Sequence, residues 1–137
     1  MLCASCDSSS GPPVDTGAEG RPVSAPDDIL RTLDGKLGFY EGQASGTIYN
    51  GSDWVLLDMD VMVTKTKPDE KRKFRLRFVE KKRNENFKIG SELYIYSDLP
   101  LKPFSSGEAQ VSSGDFAEGL KKEDFSWGIV SARGYKP

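Results

Sequence analysis

The chain has 137 residues, of which 36% are hydrophobic and 29% charged, and its formal net charge is −2. That length holds one domain rather than two, and a balance so close to neutral argues against a dedicated binder of polyanions. There is no histidine, which removes the commonest general base, the usual Ser-His and Cys-His nucleophile pairs, and the commonest nitrogen ligand for transition metals. An enzyme would have to work with Asp, Glu, Ser, Lys or Tyr. No convergent spacing of these stands out, so no catalytic set, cofactor or metal is expected.

Charge is uneven along the chain. Residues 1–42 hold seven acidic and three basic side chains out of totals of 21 and 19, so the remainder is mildly basic. Residues 1–23 are rich in Ser, Gly, Pro and Asp with little to bury, and are expected to form a disordered leader ahead of a domain spanning 24–137. Cys3 and Cys6 have C-x-x-C spacing, but no second pair completes a zinc site and no βαβ pattern surrounds them. Ala4-Ser5-Cys6, followed by Asp7 and a Ser-rich tether, resembles the end of a bacterial lipobox. That resemblance implies lipidation of Cys6, and either a true start upstream of Met1 or a trimmed N-terminus. No apolar run approaches the roughly 18–20 residues of a membrane-spanning helix, and no signal peptide is visible.

A short helix is expected over 26–34. Ser24 can cap it, Asp27 and Asp28 suit the positive end of its dipole, Ile29, Leu30 and Leu33 form an apolar stripe, and Gly35 ends it. So short a helix must dock on a sheet to persist. Leu37 and Phe39 begin an extended segment that the glycines between 42 and 46 interrupt with a bulge or bend.

The stretch from Gly46 to Phe78 reads as a three-stranded meander. Asn50-Gly51 tolerates positive φ at both turn positions and is the strongest short hairpin signal. The same Asn50-Gly51-Ser52 triplet is formally an N-glycosylation acceptor, but the turn explains it better. From Trp54 to Thr64 the chain alternates: Val55, Leu57, Met59, Val61 and Val63 on a core face, with Trp54, Leu56, Asp58, Asp60, Met62 and Thr64 on the other. A turn over Lys67-Pro68-Asp69-Glu70 leads to a second alternating run, with Phe74, Leu76 and Phe78 inward and Lys73, Arg75 and Arg77 outward. Pairing core with core sets Val63 against Phe74, Val61 against Leu76 and Met59 against Phe78, with Asp60 facing Arg77 and Thr64 facing Lys73.

Glu80 to Gly90 is a polar connection. Leu93 to Tyr96 is a short strand with Leu93 and Ile95 inward, and Leu99 to Phe104 is an irregular crossing because of its prolines. Glu108 to Val111 is a brief strand, Gly114 to Lys122 a loop with one helical turn, and Phe125 to Arg133 the last strand, with Phe125, Trp127 and Ile129 on one face. Six or seven short strands divided by turns suit an all-β antiparallel sandwich.

Gly46-Thr47-Ile48-Tyr49-Asn50-Gly51-Ser52, the long alternating strand, a late Pro-Leu and a Gly-Asp-Phe before the terminal strand together resemble small extracytoplasmic bacterial domains of the FxLYD type. The resemblance covers roughly residues 37–135. It implies an immunoglobulin-like β-sandwich in a non-catalytic accessory module of a secreted or lipid-anchored protein, outside the cytoplasm. It carries over no catalytic residue.

Three surface features remain as candidates. The tract from Lys65 to Lys88 holds eleven Lys and Arg against four acids. Within it, Lys73, Arg75, Arg77, Lys81, Lys82 and Arg83, near Tyr94 and Tyr96, could hold a polyanion or single-stranded nucleic acid. The plainer reading is a solvated face whose cations pair with Asp58 and Asp60. Those two carboxylates alone are too few for calcium. Trp54, Leu56 and Met62 share the outer face, so they are either covered by the helix or form a patch for a protein partner. The expected function is a binding or assembly module with a protein partner, attached to a membrane only through a lipid anchor, with polyanion binding as the rival.

Overall fold

A computed structural model describes residues 15–66, 69–83, 94–117 and 120–137; the side chains of Arg83, Tyr94 and Ala117 lie outside the description. The fold is all-β and antiparallel, as expected, and the described residues hold one short helix and eight strands rather than six or seven. In chain order these are β1 (Val23–Ser24), α1 (Asp27–Leu30), β2 (Leu33–Tyr40), β3 (Gln43–Asn50), β4 (Val55–Thr66), β5 (Asp69–Arg83), β6 (Tyr94–Asp98), β7 (Ser105–Ser112) and β8 (Phe125–Tyr135). Short 3₁₀ turns occupy Gly114–Ala117 and Lys122–Asp124.

The strands form one hydrogen-bonded sheet in the order β1-β8-β4-β5-β7-β3-β2, with β6 also on β5. The sheet curls because β5 serves two layers. Its residues 69–77 pair with β4, residues 77–79 with β7, and residues 79–83 with β6. One layer is therefore β1, β8, β4 and the start of β5; the other is the later part of β5 with β7, β3 and β2. The curl brings Phe39 of β2 edge-on to Phe125 of β8, ring centroids 5.0 Å apart, and to Phe74 of β5 at 6.3 Å. Such edge-to-face pairs are worth about 0.5–1.5 kcal/mol each beyond the area they bury.

Between the layers lie Ile48, Leu56, Met59, Val61, Val63, Leu76, Phe78 and Leu101, all essentially inaccessible. Burying each such side chain stabilises the fold by about 1.5–3 kcal/mol. Where β2, β3 and β7 pair, large residues meet small ones: Gly35 lies opposite Ile48, Leu37 opposite Gly46, Phe39 opposite Ala44, and Ile48 opposite Gly107. A β-carbon on Gly46 would collide with the Lys36 carbonyl oxygen, so glycine is required there. Phe116 closes one end, stacked edge-on against Phe74 at 5.3 Å and covered by Lys65 and Arg72, 4.3 and 4.8 Å above its ring.

Several expectations are corrected. Asn50-Gly51 is not a hairpin turn, since β3 pairs with β2 and β7 while β4 pairs with β5 and β8; the segment crosses between layers, and the meander reduces to the β4-β5 hairpin. The hairpin turn lies earlier, at Glu41 and Gly42 between β2 and β3, where φ is 50° and 76°. Two positive φ values are what a two-residue type I′ connection demands. Gly46 is thus mid-strand rather than a bend.

In the β4-β5 hairpin Met59, Val61, Val63, Phe74, Leu76 and Phe78 keep the expected inward face, whereas Val55 and Leu57 do not, and the register is two residues tighter: Thr66 pairs with Asp69, Val61 with Phe74, Met59 with Leu76 and Asp60 with Arg75. Asp69 and Glu70 belong to β5 rather than to a turn, and Lys67 and Pro68 lie outside the described residues.

The helix is shorter than 26–34 because Leu33 and Gly35 are claimed by pairing with β3; Pro26 takes the N-cap position, and Ser24 lies in β1. The helix lies against β8, where the Ala25 N–H donates to the Ala132 carbonyl at 2.8 Å. Residues 15–23, assigned to the leader, are part of the fold: Asp15 bonds Arg21 at 2.8 and 3.0 Å, and the Lys136 N–H donates to the Thr16 carbonyl. Residues 1–14 lie outside the described residues, as does Leu93, while Ile95, expected inward, is 48% exposed.

Candidate functional site

The two layers present very different outer faces. On β4, β5 and β8 many outward side chains are charged, and several of them are paired. Arg133 donates to Asp58 at 2.8 Å; Asp60 accepts from Arg75 at 3.1 Å and from the Ser131 hydroxyl at 3.0 Å. Both carboxylates are largely buried beneath these partners. The Arg75 hydrogen bond holds the Asp60 carboxyl below the usual carboxylate range; burial opposes this, and Ser131 adds to it. Arg75 is raised in turn by the same carboxylate.

Of the cations singled out in the basic tract, Lys73, Arg75, Arg77, Lys81 and Lys82 are exposed along β5, and the Arg83 side chain and Cys6 lie outside the described residues. Several of them already carry an acidic partner. Arg75 is bound to Asp60, Arg77 to Asp98 at 2.9 Å, and Lys82 lies 3.6 Å from Glu80. Tyr96 lies in a recess of the other layer. No group of three or more metal-ligating side chains occurs among the described residues.

Trp54, Leu56 and Met62 do not form an outer patch. Trp54 is 2% and Leu56 0% exposed. The cause is a β-bulge: Leu56 pairs with Gly134 and Asp58 with Arg133, leaving Leu57 as an extra residue that reverses the facing of everything before it. Met62 alone of the three points outwards, half-buried and opposite Lys73 and Gly128.

The other layer carries a surface that its sequence did not announce. Strand alternation and register place Tyr40, Gln43 and Ser112 in one row; Gly38, Ser45 and Gln110 in the next; then Lys36, Thr47 and Glu108; then Asp34, Tyr49 and Ser106. Every inward neighbour on β3, namely Ala44, Gly46, Ile48 and Asn50, faces the core instead. The outward rows contain no aliphatic side chain. Short hydroxyl residues run down the middle, longer amides and charges flank them, and tyrosines stand at both ends, Tyr40 74% and Tyr49 44% exposed.

This face is hollowed on both sides. A recess of about 220 Å³ is lined by Gln43, Ser45, Thr47, Glu108 and Gln110 and walled by Lys81 and Tyr96, which are register partners on β5 and β6. A larger groove of about 610 Å³ lies along β2 towards β8, lined by Gly35, Leu37 and Gly38 on one side and by Lys122, Phe125 and Trp127 on the other. The two meet at Ser45, Gly46 and Thr47. Gln43 donates to Gln110 at 2.8 Å across the floor of the smaller recess, fixing both amides.

Asn50, the hub of the triplet noted in the sequence, has a structural task. It is fully buried; its amide donates to the carbonyls of Trp54 (2.7 Å) and Lys102 (3.1 Å), and its carbonyl accepts from the Ser52 N–H (3.0 Å) and hydroxyl (2.6 Å). A side chain so enclosed cannot serve as a glycosylation acceptor in the folded protein.

No protein-family model, curated protein or solved structure matches the chain.

Proposed function

We propose that this domain is a non-catalytic binding or assembly module of a bacterial secreted or lipid-anchored protein, and that the outer face of β2, β3 and β7 is its working surface. The observation that carries the reading is the contrast between the two faces. On one, Arg133, Arg75 and Arg77 are held by Asp58, Asp60 and Asp98. The other presents unshielded hydroxyl, amide and tyrosine groups around two recesses that share a floor. Ligand sites are concave and carry a few placed polar groups; the ion-paired face also has a recess of about 270 Å³, beside Leu57, Leu99 and Pro100, but the polar groups lining it, Asp58, Arg77, Asp98 and Arg133, already hold one another. The extracytoplasmic setting is drawn from the FxLYD-like and lipobox-like stretches. The rival, polyanion binding through the basic tract, is not favoured, because the arginines at its centre already hold carboxylates.

The test is retention of envelope-fraction components by the immobilised domain, compared with a Thr47→Arg/Gln110→Arg variant. Both positions point outwards, so the variant is expected to fold. Retention lost in the variant supports the reading. Retention that ignores the substitutions, or turnover of an ester, glycoside or phosphodiester by the pure domain, contradicts it.

A further inference from the structure

We propose that the face bearing Ser45, Thr47, Glu108 and Gln110, walled by Tyr96, binds a neutral oligosaccharide chain. The inference rests on the binding-module reading and names its ligand class. A sugar offers two things to a protein: hydroxyls that each donate and accept hydrogen bonds, and ring faces of C–H groups that are apolar. The face answers both. Ser and Thr hydroxyls and Gln amides can donate and accept. The Gln43–Gln110 bond consumes one hydrogen of Gln43 and one lone pair of Gln110. That leaves the Gln43 carbonyl and the Gln110 amide nitrogen, neither with a partner among the described residues, for a ligand.

Tyrosine supplies an apolar ring with a polar tip, the amphipathic surface a sugar ring stacks upon. Tyr96 is 43% exposed at the wall of the recess, and Tyr40 and Tyr49 stand in the first and last of the outward rows, beyond the recess itself. The recess runs along β3 from Gln43 to Thr47, four strand residues, which at about 3.4 Å per residue is about 14 Å, room for two or three sugar rings in a row.

Charge points to a neutral chain. Asp34 and Glu108 are balanced by Lys36 and Lys81 around the same surface, so no single-sign field draws a polyanion or polycation. A peptide strand is less well served. The central strand β3 is hydrogen-bonded on both edges, to β2 and β7, so a peptide could pair only with β2, where the sheet ends among the described residues, and would leave the hydroxyl and amide rows unused. The outward rows carry no aliphatic side chain to anchor a protein partner; the apolar wall of Leu37, Phe125 and Trp127 belongs to the neighbouring groove.

The experiment is affinity electrophoresis of the domain through native gels, each cast with one soluble neutral polysaccharide: a mixed-linkage β-glucan, an α-1,4-glucan, a xylan or a galactomannan. Dextran sulfate serves as the charged comparator. Retardation is expected in at least one neutral gel, with about tenfold weaker apparent affinity in Tyr96→Ala and in Gln110→Ala. Arg75→Ala, on the opposite layer, should be retarded like the wild type, and thermal melts confirm that each variant is folded. Migration unaffected by all four neutral polysaccharides overturns the proposal, as does retardation that the two face variants leave unchanged. If that occurs while envelope retention still depends on Thr47 and Gln110, the module reading stands and only the saccharide is removed.

Discussion

The Asn50 side-chain carbonyl accepts both the backbone N–H and the hydroxyl of Ser52, at 3.0 and 2.6 Å, inside a core where neither residue meets solvent. Through its amide, the same side chain ties the start of β4 to Lys102 on the crossing before β7. Local Asx-type bonding of this kind competes with regular turn formation, and here it converts an apparent hairpin into an inter-layer crossing. Asn50→Ala takes their partner from the Trp54 carbonyl, the Ser52 N–H and the Ser52 hydroxyl, while the Lys102 carbonyl keeps the Ser105 hydroxyl, so a loss of about 3 kcal/mol is expected, read from urea unfolding midpoints. Ser52→Ala removes fewer partners and should cost about 1 kcal/mol. Equal, negligible losses in both would remove the hub from the account.

Glycine tolerance should differ sharply by position. At Gly46 a β-carbon meets the Lys36 carbonyl, and at Gly134 it meets the Val55 carbonyl, both backbone atoms in neighbouring strands. At Gly128 nothing lies within 4 Å. Gly46→Ala and Gly134→Ala are each expected to destabilise by about 2 kcal/mol or more, as overpacking does. Gly128→Ala should be neutral or stabilising by up to about 0.5–1 kcal/mol, from the lost chain entropy of glycine. Differential scanning calorimetry of the three variants checks the ordering.

Part of this was legible in the letters. The β4-β5 hairpin follows from two alternating runs, because parity alone decides which side chains are inward. Parity does not decide register, and a shift of two residues preserves every face. That is why Val61 meets Phe74 rather than Leu76. The Leu57 bulge could not be read, since it depends on which β8 residue lies opposite, and Trp54 and Leu56 were misplaced with it. The polar trough was hidden for a similar reason: Gln43 and Gln110, bonded across its floor, are 67 residues apart. The usable signal was the period-two run of Gln43, Ser45, Thr47 and Tyr49, with a matching run of Ser106, Glu108, Gln110 and Ser112.

Acid should destabilise the domain through Asp60. Its carboxyl sits below the ordinary value because Arg75 donates to it, with Ser131 assisting. A depressed folded-state pKa contributes stability that is present above the unfolded value of about 3.9 and is lost as pH falls through the folded one. Asp60→Asn should therefore lower stability by about 1 kcal/mol at pH 7 and flatten the loss below about pH 4. Urea unfolding at pH 7, 4 and 3 checks both. Asp15, held at about 2 by Arg21 and the Gly17 N–H, titrates in the same direction at the surface.

Neutralisation of the basic tract has a measurable counterpart. Wild-type protein should leave heparin resin at low salt, because Arg75, Arg77 and Arg133 are occupied by Asp60, Asp98 and Asp58. Asp58→Asn/Asp60→Asn frees two arginines and should elute later, with a steeper salt dependence as more counterions are released. Strong wild-type retention that the double substitution does not increase would favour the polyanion rival.

The most direct measurement is an amide-resolved NMR titration of the ¹⁵N-labelled domain with oligosaccharides cut from whichever neutral polysaccharide retards it most. Shifts concentrated at Gly38, Ser45, Thr47, Tyr96 and Gln110, with Asp60, Lys73 and Arg75 unmoved, are the expected result. Shifts confined to β4, β5 and β8, or none at saturating sugar, would contradict the assignment of the working face.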